Sequence, residues 1–471
     1  MTESSVQLRR SSLSTDFDTG VVVVGAGLAG LSTARKLHDA GVDVVVLEAR
    51  DRVGGRTLSQ TEGDGLLVEY GGQWVGPTQD HMYALIAEFG LETFTQYADG
   101  DNLQLADGRL LRYHGAIPTG DPIIAADLMD AMVELTSAAM EVDTAAPWEH
   151  PRAAELDAMT VETWIGSQPY CDGAKVWLRT LTRAIFPAEP GEISLLHALF
   201  YISSGGGLEK MIGIINSAQE NRLTHGSMQV SQRLAGLLGD RVRLNSPVHR
   251  IDHDADGVTV HHEHGALHAR RVIVAIPPTL AGRIRYAPAL PGLRDQLTQR
   301  SFMASTIKMS VVYETPFWRA DGLSGHMVGD NRLVCTTLDQ THPDRPEGVL
   351  VCFIDAAAAR RALRMPADER RATVIEDLVT YYGEQARNPV AVYEKSWLDD
   401  EWARGCYVGM MSPGTWSTLG PALREPIGPI HWAGTECATK WNGYMDGAVS
   451  SGLATAEAVL AEIAATAEVA R

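Results

Sequence analysis

Residues 21–57 read VVVVGAGLAGLSTARKLHDAGVDVVVLEARDRVGGRT. Val21–Val24 is a short apolar, β-branched run that leads directly into Gly25, Ala26, Gly27, Leu28, Ala29 and Gly30. Leu28, Leu31, Ala34 and Leu37 then recur at a helical spacing, Gly41 breaks the pattern, and a second apolar run, Val44–Leu47, ends on Glu48. The order of strand, tight turn, helix, strand and acidic residue predicts a parallel βαβ unit that holds a dinucleotide. Gly25 permits the turn, Gly27 lets the backbone approach a pyrophosphate, and Gly30 lets helix and strand close on each other. N–H groups at the start of the helix then face the phosphates, and Glu48 is placed to accept from ribose hydroxyls. Three glycines alone would be weak, because glycine-rich turns are common. The flanking strands and the acidic strand end make the pattern specific. Were the turn only structural, Glu48 would be an ordinary solvated strand end.

The residues after Glu48 bear on which dinucleotide is held. Arg50, Arg52 and Arg56 surround the adjacent Gly54 and Gly55. This is a second close backbone approach with cationic charge for phosphate. A nicotinamide site does not usually need that extra segment, so the pattern favours FAD held throughout turnover.

The chain has 471 residues and a formal net charge of −19, with 45% hydrophobic residues and 45 glycines. A length of about 150 residues per domain suggests two or three domains. The acidic balance argues against a nucleic-acid binder and against docking on an anionic membrane. Cys171, Cys335, Cys352, Cys406 and Cys437 are scattered, with no CxxC pair. That suits a reducing, cytoplasmic compartment and no zinc site. Residues 1–17 lack the apolar core of a signal peptide and read as a disordered leader. The Ala-rich segment 448–469 reads as a helix interrupted by Glu457, Glu462 and Glu468, so no stretch is expected to span a bilayer.

Further along, helical patterns cover about 79–89, 122–142, 160–168, 171–184, 192–202 and 368–381, with Gly205–Gly207 as a join. Segment 95–125 reads as hairpin-like, turning at Asp107-Gly108. Residues 241–275 alternate as strands, and Val272–Ile276, closed by Pro277-Pro278, is placed to rejoin the parallel sheet. Residues 307–313, 348–355 and 430–435 carry further strand patterns. His249, His253, His261, His262, His264 and His268 invite a metal reading. They alternate on a hairpin without a helical ligand frame, so they read as a solvated edge, and no metal is expected.

At this point the chain resembles the flavin monoamine oxidase family, in its soluble bacterial branch, over about residues 20–463. The resemblance rests on Arg52-Val53-Gly54-Gly55-Arg56-Thr57, Gly76-Pro77-Thr78-Gln79, Ala275-Ile276-Pro277-Pro278, Gly405-Cys406-Tyr407, and the run from Ala433-Gly434-Thr435-Glu436 to Ala448. It implies an α/β fold. A Rossmann-like FAD-binding domain (18–93, 224–297, 400–463) is interleaved with a mixed-sheet and helical substrate domain (94–223, 298–399), leaving 464–471 as a tail. It implies oxidation of an amine by O2 and water to aldehyde, ammonia and H2O2, with redox chemistry supplied by the flavin, and a homodimer.

Residue by residue, Lys308 matches the lysine that holds a water against flavin N5, and Tyr407 and Tyr444 match the two walls of an aromatic cage. Cys406 matches the cysteine that in some members forms an 8α-thioether to FAD. Gly25, Gly27, Gly30, Glu48, Arg50, Gly55, Arg56, Val248, Trp397, Gly434, Thr435 and Met445 match cofactor-binding positions. No general base is expected; the amine reacts as its free base, so activity is expected to rise toward alkaline pH.

Trp74, Ala184, Ile185, Ile212, Gln219, Thr336 and Phe353 match substrate-pocket positions. Thr336 is the departure: the putrescine-oxidising relatives place there a glutamate that holds the distal ammonium. Threonine supplies no counter-charge, and burying an unpaired ammonium is costly. The reading is therefore a primary monoamine, aromatic or longer aliphatic. The alternatives are a diamine or polyamine oxidase, or an L-amino-acid oxidase. The last would need an arginine on the substrate carboxylate, for which Arg183 is the nearest candidate.

Overall fold

The computed structural model describes residues 17–469 except 107, 116, 118–120, 330 and 331. The opening motif forms strand β1 (Thr19–Val24), helix α1 (Leu28–Asp39) and strand β2 (Val44–Leu47). Strand β1 lies between β2 and Gly265–Val274, parallel to both, and Val242–Arg243 extends the sheet beyond β2. Both faces of β1 are covered, as its unbroken valine run requires. Val21 and Val23 pack with α1 and the last helix, while Val22 and Val24 pack with Ile251, Val260 and Trp432.

Gly265–Val274 serves two purposes. Its first half pairs antiparallel with Val258–His262 in a meander, and its end pairs parallel with Ile430–Trp432. One eight-stranded sheet thus joins residues from 19 to 432. The histidines ride this meander, and two details correct the solvated-edge reading. His262 is buried, and His261 Nε2 lies 2.9 Å from Asp252 Oδ2. Among the described residues no group of His, Cys, Asp and Glu is placed to hold a metal.

A second, seven-stranded sheet runs in the order Ala391–Ser396, Thr306–Tyr313, Gly348–Asp355, Thr336–Asp339, Leu323–Gly329, Asp101–Ala106, Arg109–Tyr113. The hairpin expected in 95–125 is its edge; Asp107 of the turn lies outside the described residues. Helices Pro122–Met140, Val161–Ser167, Asp172–Ile185 and Leu195–Ser204 pack into a third body around Phe200 and Trp416. Three of them start on side-chain caps, at Asp121, Thr160 and Ser194.

The last helix, Met445–Val469, corrects the reading of an interrupted helix. Its span Met445–Ala465 is long and apolar enough to cross a bilayer by length and composition alone. The glutamates do not interrupt it. Glu457 lies 3.3 Å from Lys36, Glu462 lies 2.9 Å from Arg271, and Val449, Ala456 and Val459 pack on the core that includes α1.

Candidate active site

Gly27, at the N-cap of helix α1, offers no side-chain cap, and the first turn of the helix carries no acid. Its first N–H groups are thus left for an anion. Gly27, Leu28 and Ala29 line a cavity of about 750 Å³ that continues between the two large sheets. Gly25 lines it with a φ of 100°, a left-handed conformation that favours glycine. Gly30 does not line it; a Cβ there would stand 2.0 Å from the Gly25 carbonyl oxygen. Glu48 is buried rather than solvated, and accepts from the Ala26 N–H at 2.7 Å and the Arg50 N–H at 3.0 Å. Two acceptors of a carboxylate are used, leaving lone pairs for hydroxyl donors on the cavity side.

The arginine-rich loop closes over this turn. The Gly54 N–H donates to Ala26 at 2.9 Å, and Arg52 donates to the carbonyls of Val53, Gly55 and Thr57. Arg50 pairs with Asp400 at 2.5 Å. Arg56 departs from a simple phosphate ligand. It grips Glu436 bidentately, at 2.7 and 3.1 Å, and donates to the Tyr407 carbonyl at 2.8 Å. Burial acts to lower its pKa, but the Glu436 charge prevails and raises it. Gly55, Val248, Trp397, Cys406, Gly434, Thr435 and Met445 line the same cavity. Trp397 is fixed by an indole bond to the Tyr70 carbonyl at 2.8 Å. Burial pushes the Cys406 thiol up to about 12, and the Cys406–Tyr407 peptide is cis.

Tyr407 and Tyr444 both face this space, each held by a different aromatic neighbour. Tyr407 meets Phe353 edge-on at 6.1 Å, and Tyr444 meets Trp441 edge-on at 4.9 Å, with Tyr201 6.2 Å away. Burial raises both phenols, so both are neutral hydroxyls at physiological pH. Lys308 is buried; its Nζ donates to the Gly71 carbonyl at 2.9 Å and to Gln73 Oε1 at 2.6 Å. Burial lowers its pKa to about 7, against the opposing pull of Glu69.

The second sheet builds the floor. Register places Lys308 opposite Phe353, Phe353 opposite Thr336, and Thr336 opposite Val328, and all four side chains line the cavity. Strands lie about 4.8 Å apart, so this row spans about 14 Å from Lys308. Helical residues Trp177, Leu181, Ala184 and Ile185 line the cavity beyond it, with Ile212, Gln219 and Trp74. The polar atoms here are few and underused. Gln219 Nε2 donates to the Met211 carbonyl at 3.1 Å while its Oε1 is unpartnered, as is Thr336 Oγ1. The cavity carboxylates are Glu48, Glu263, Glu401 and Glu436. Glu263 adjoins Pro247, Glu401 follows the Arg50 partner Asp400, and Glu436 is on Arg56. Among the described residues none lies at the Thr336 end. Arg183 is not in the lining and pairs with Glu189 at 2.9 Å.

Sequence reasoning missed Gln73, Tyr201, His326 and Asp355. Gln73 sits one residue before a predicted pocket residue, and only the fold shows that it anchors Lys308. Tyr201 and His326 lie in runs whose patterns carry no mark of the cavity. Asp355 lies behind its wall, taking the Thr306 hydroxyl at 2.8 Å on one oxygen and leaving the other unpartnered.

Comparison with known proteins agrees with this geometry. The family profile described as flavin containing amine oxidoreductase matches residues 28–460. Amine oxidase [flavin-containing] B of Sus scrofa is 37% identical over 445 residues, 93% of this chain and 86% of that protein. Wild-type putrescine oxidase solved with putrescine superposes with a TM-score of 0.90 at 35% identity, over 94% of this chain and 99% of that one. Cyclohexylamine oxidase from Brevibacterium oxydans IH-35A superposes with a TM-score of 0.91 at 34% identity, over 95% and 99%.

Proposed function

The chain belongs to the flavin-containing amine oxidoreductases, and from that premise we propose that it oxidatively deaminates primary monoamines whose carbon skeleton is aromatic, cyclic or a longer aliphatic chain. The observation that carries this reading is the missing counter-charge. The described residues at the Thr336 end of the cavity include no carboxylate, and a second ammonium desolvated there would lack a partner. The cyclohexylamine oxidase likeness supports a bulky monoamine. The putrescine oxidase likeness favours the second reading, a diamine or polyamine oxidase. An L-amino-acid substrate has no arginine at that end, because Arg183 is engaged with Glu189.

The residues present fit FAD. The uncapped turn at Gly25 and Gly27 would take the pyrophosphate, Glu48 the ribose, Val248 the adenine end, and Gly434, Thr435 and Met445 the isoalloxazine end. Arg50 and Arg56 would act mainly by fixing the loop through Asp400 and Glu436. When bound, FAD supplies the two-electron acceptor and returns the electrons to O2, so that amine, O2 and water give aldehyde, ammonia and H2O2. Tyr407 and Tyr444 orient the amine as neutral ring walls. Phe353, Trp74 and Ile185 exclude water around its skeleton. Lys308, fixed by Gly71 and Gln73, would hold a water through the one Nζ donor those two bonds leave free. Cys406 is the residue for a thioether to the cofactor. We further assign 18–93, 224–297 and 400–463 to the cofactor domain and 94–223 and 298–399 to the substrate domain, in a cytoplasmic homodimer.

A substrate panel read by H2O2 release tests the reading. Phenylethylamine, cyclohexylamine and octylamine should exceed putrescine in kcat/KM; putrescine turned over faster than every monoamine would establish the diamine reading instead. Acid-precipitated protein that stays yellow would support the Cys406 bond, and colour wholly in the supernatant would remove it.

A further inference from the structure

The far end of the cavity floor carries a polar side chain that the amine chemistry leaves unused. His326 lies two residues before Val328 on strand Leu323–Gly329, so the two side chains share a face. Both line the cavity, as do Thr336 and Leu338 on the paired strand. Among the described residues no hydrogen bond is made to the His326 ring, and Thr336 Oγ1, diagonal to it on the paired strand, is buried and unpartnered. The row from Lys308 through Phe353 and Thr336 to the His326 strand makes three strand-to-strand steps, about 14 Å at normal sheet spacing. Two hydrogen-bonding groups therefore wait where the distal end of an extended amine would arrive.

We propose that His326 and Thr336 form a specificity-determining pair that receives a hydroxyl group at the far end of a primary monoamine; this rests on the amine oxidase reading above. An imidazole without a partner offers one donor and one acceptor, and the threonine hydroxyl can act as either. A substrate hydroxyl uses both roles, whereas an ammonium is a donor only and needs opposing charge. Burial lowers the His326 pKa to about 4, so the ring is neutral at working pH and adds no charge to this end. Val328, Leu338 and Phe353 flank the pair with apolar surface, which strengthens a hydrogen bond made there and penalises an unpaired charge.

The test uses the FAD-loaded full chain and three substrates built on the same eight-carbon chain: octylamine, ω-hydroxyoctylamine and ω-aminooctylamine. The wild type should favour the hydroxylated amine over octylamine by about 3- to 10-fold in kcat/KM, the span of one or two neutral hydrogen bonds. His326→Leu should abolish that preference, raising KM for the hydroxylated amine several-fold more than KM for octylamine. His326→Gln, which keeps a donor and an acceptor, should retain most of it. Thr336→Val gives a second route should the leucine variant lose its cofactor, and should reduce the preference in part. No wild-type preference for the hydroxylated amine, or equal losses for both monoamines in His326→Leu, would overturn the assignment. The diamine reports separately on the monoamine reading: if it is the fastest of the three, that reading fails, whatever the hydroxyl preference shows.

Discussion

Lys308 and Asp355 are buried titratable residues on adjacent strands, and they push the pH dependence of stability in opposite directions. Lys308 falls from 10.5 to about 7 on burial. The unfolded chain therefore binds the extra proton between those values, and this effect makes stability rise with pH through that window. Asp355 rises from 3.8 to about 8 on burial. The folded chain holds its proton between those values, so the stability it contributes is present below about 4 and is lost as pH rises through about 8. Asp355→Asn cannot ionise. Relative to wild type it should therefore gain stability between pH 5 and pH 9, by more than about 1 kcal/mol, because each tenfold change in proton affinity is worth about 1.4 kcal/mol. Melting curves at the two pH values measure this, and an unchanged difference would remove the buried-acid account. For the chemistry, Lys308→Met should keep its FAD colour and lose about 100-fold in turnover, the usual weight of a positioned proton-handling group. Stopped-flow reoxidation should carry the defect. The sequence marked Lys308 through the family resemblance, whereas Asp355 ends a fully buried strand and carries no local sign of that burial.

Among the elements, β1 and α1 were the most legible, because their function fixes their composition. A strand covered on both faces must be apolar throughout, and a helix that presents its start to phosphate must begin without a bulky cap. Gly30→Ala tests the close approach directly. The new Cβ would stand 2.0 Å from the Gly25 carbonyl oxygen, and neither backbone can yield without moving the turn. The variant should lose at least about 2 kcal/mol, at the heavy end of overpacking, and its ratio of visible to ultraviolet absorbance should fall. Full FAD content with wild-type melting would count against this geometry. The last helix was misread because its glutamates looked like interruptions. Ion pairing with Lys36 and Arg271 is long-range, and a local pattern cannot contain it.

Across the whole molecule, one cavity is shared by residues from Val24 to Ala448, so cofactor and stability are coupled. Removing FAD should lower Tm by several degrees, since a ligand that binds only the folded state stabilises it by mass action; equal melting with and without FAD would contradict a cofactor held across both sheets. Glu436→Gln should cost about 3 kcal/mol in urea unfolding, because it leaves the Arg56 charge without its partner. That pair joins residues 380 positions apart and also braces the Tyr407 carbonyl and the Gly409 N–H. By itself, the sequence determined the dinucleotide turn, the strand–helix order, the family resemblance and the threonine at position 336, since each is written in local patterns or matched motifs. Only the tertiary structure decided that Arg56 is spent on Glu436, that Arg183 is turned away to Glu189, that Gln73 anchors Lys308, and that His326 shares the cavity floor with Thr336. Those facts depend on register and packing between distant segments, and spacing along a single chain does not encode them.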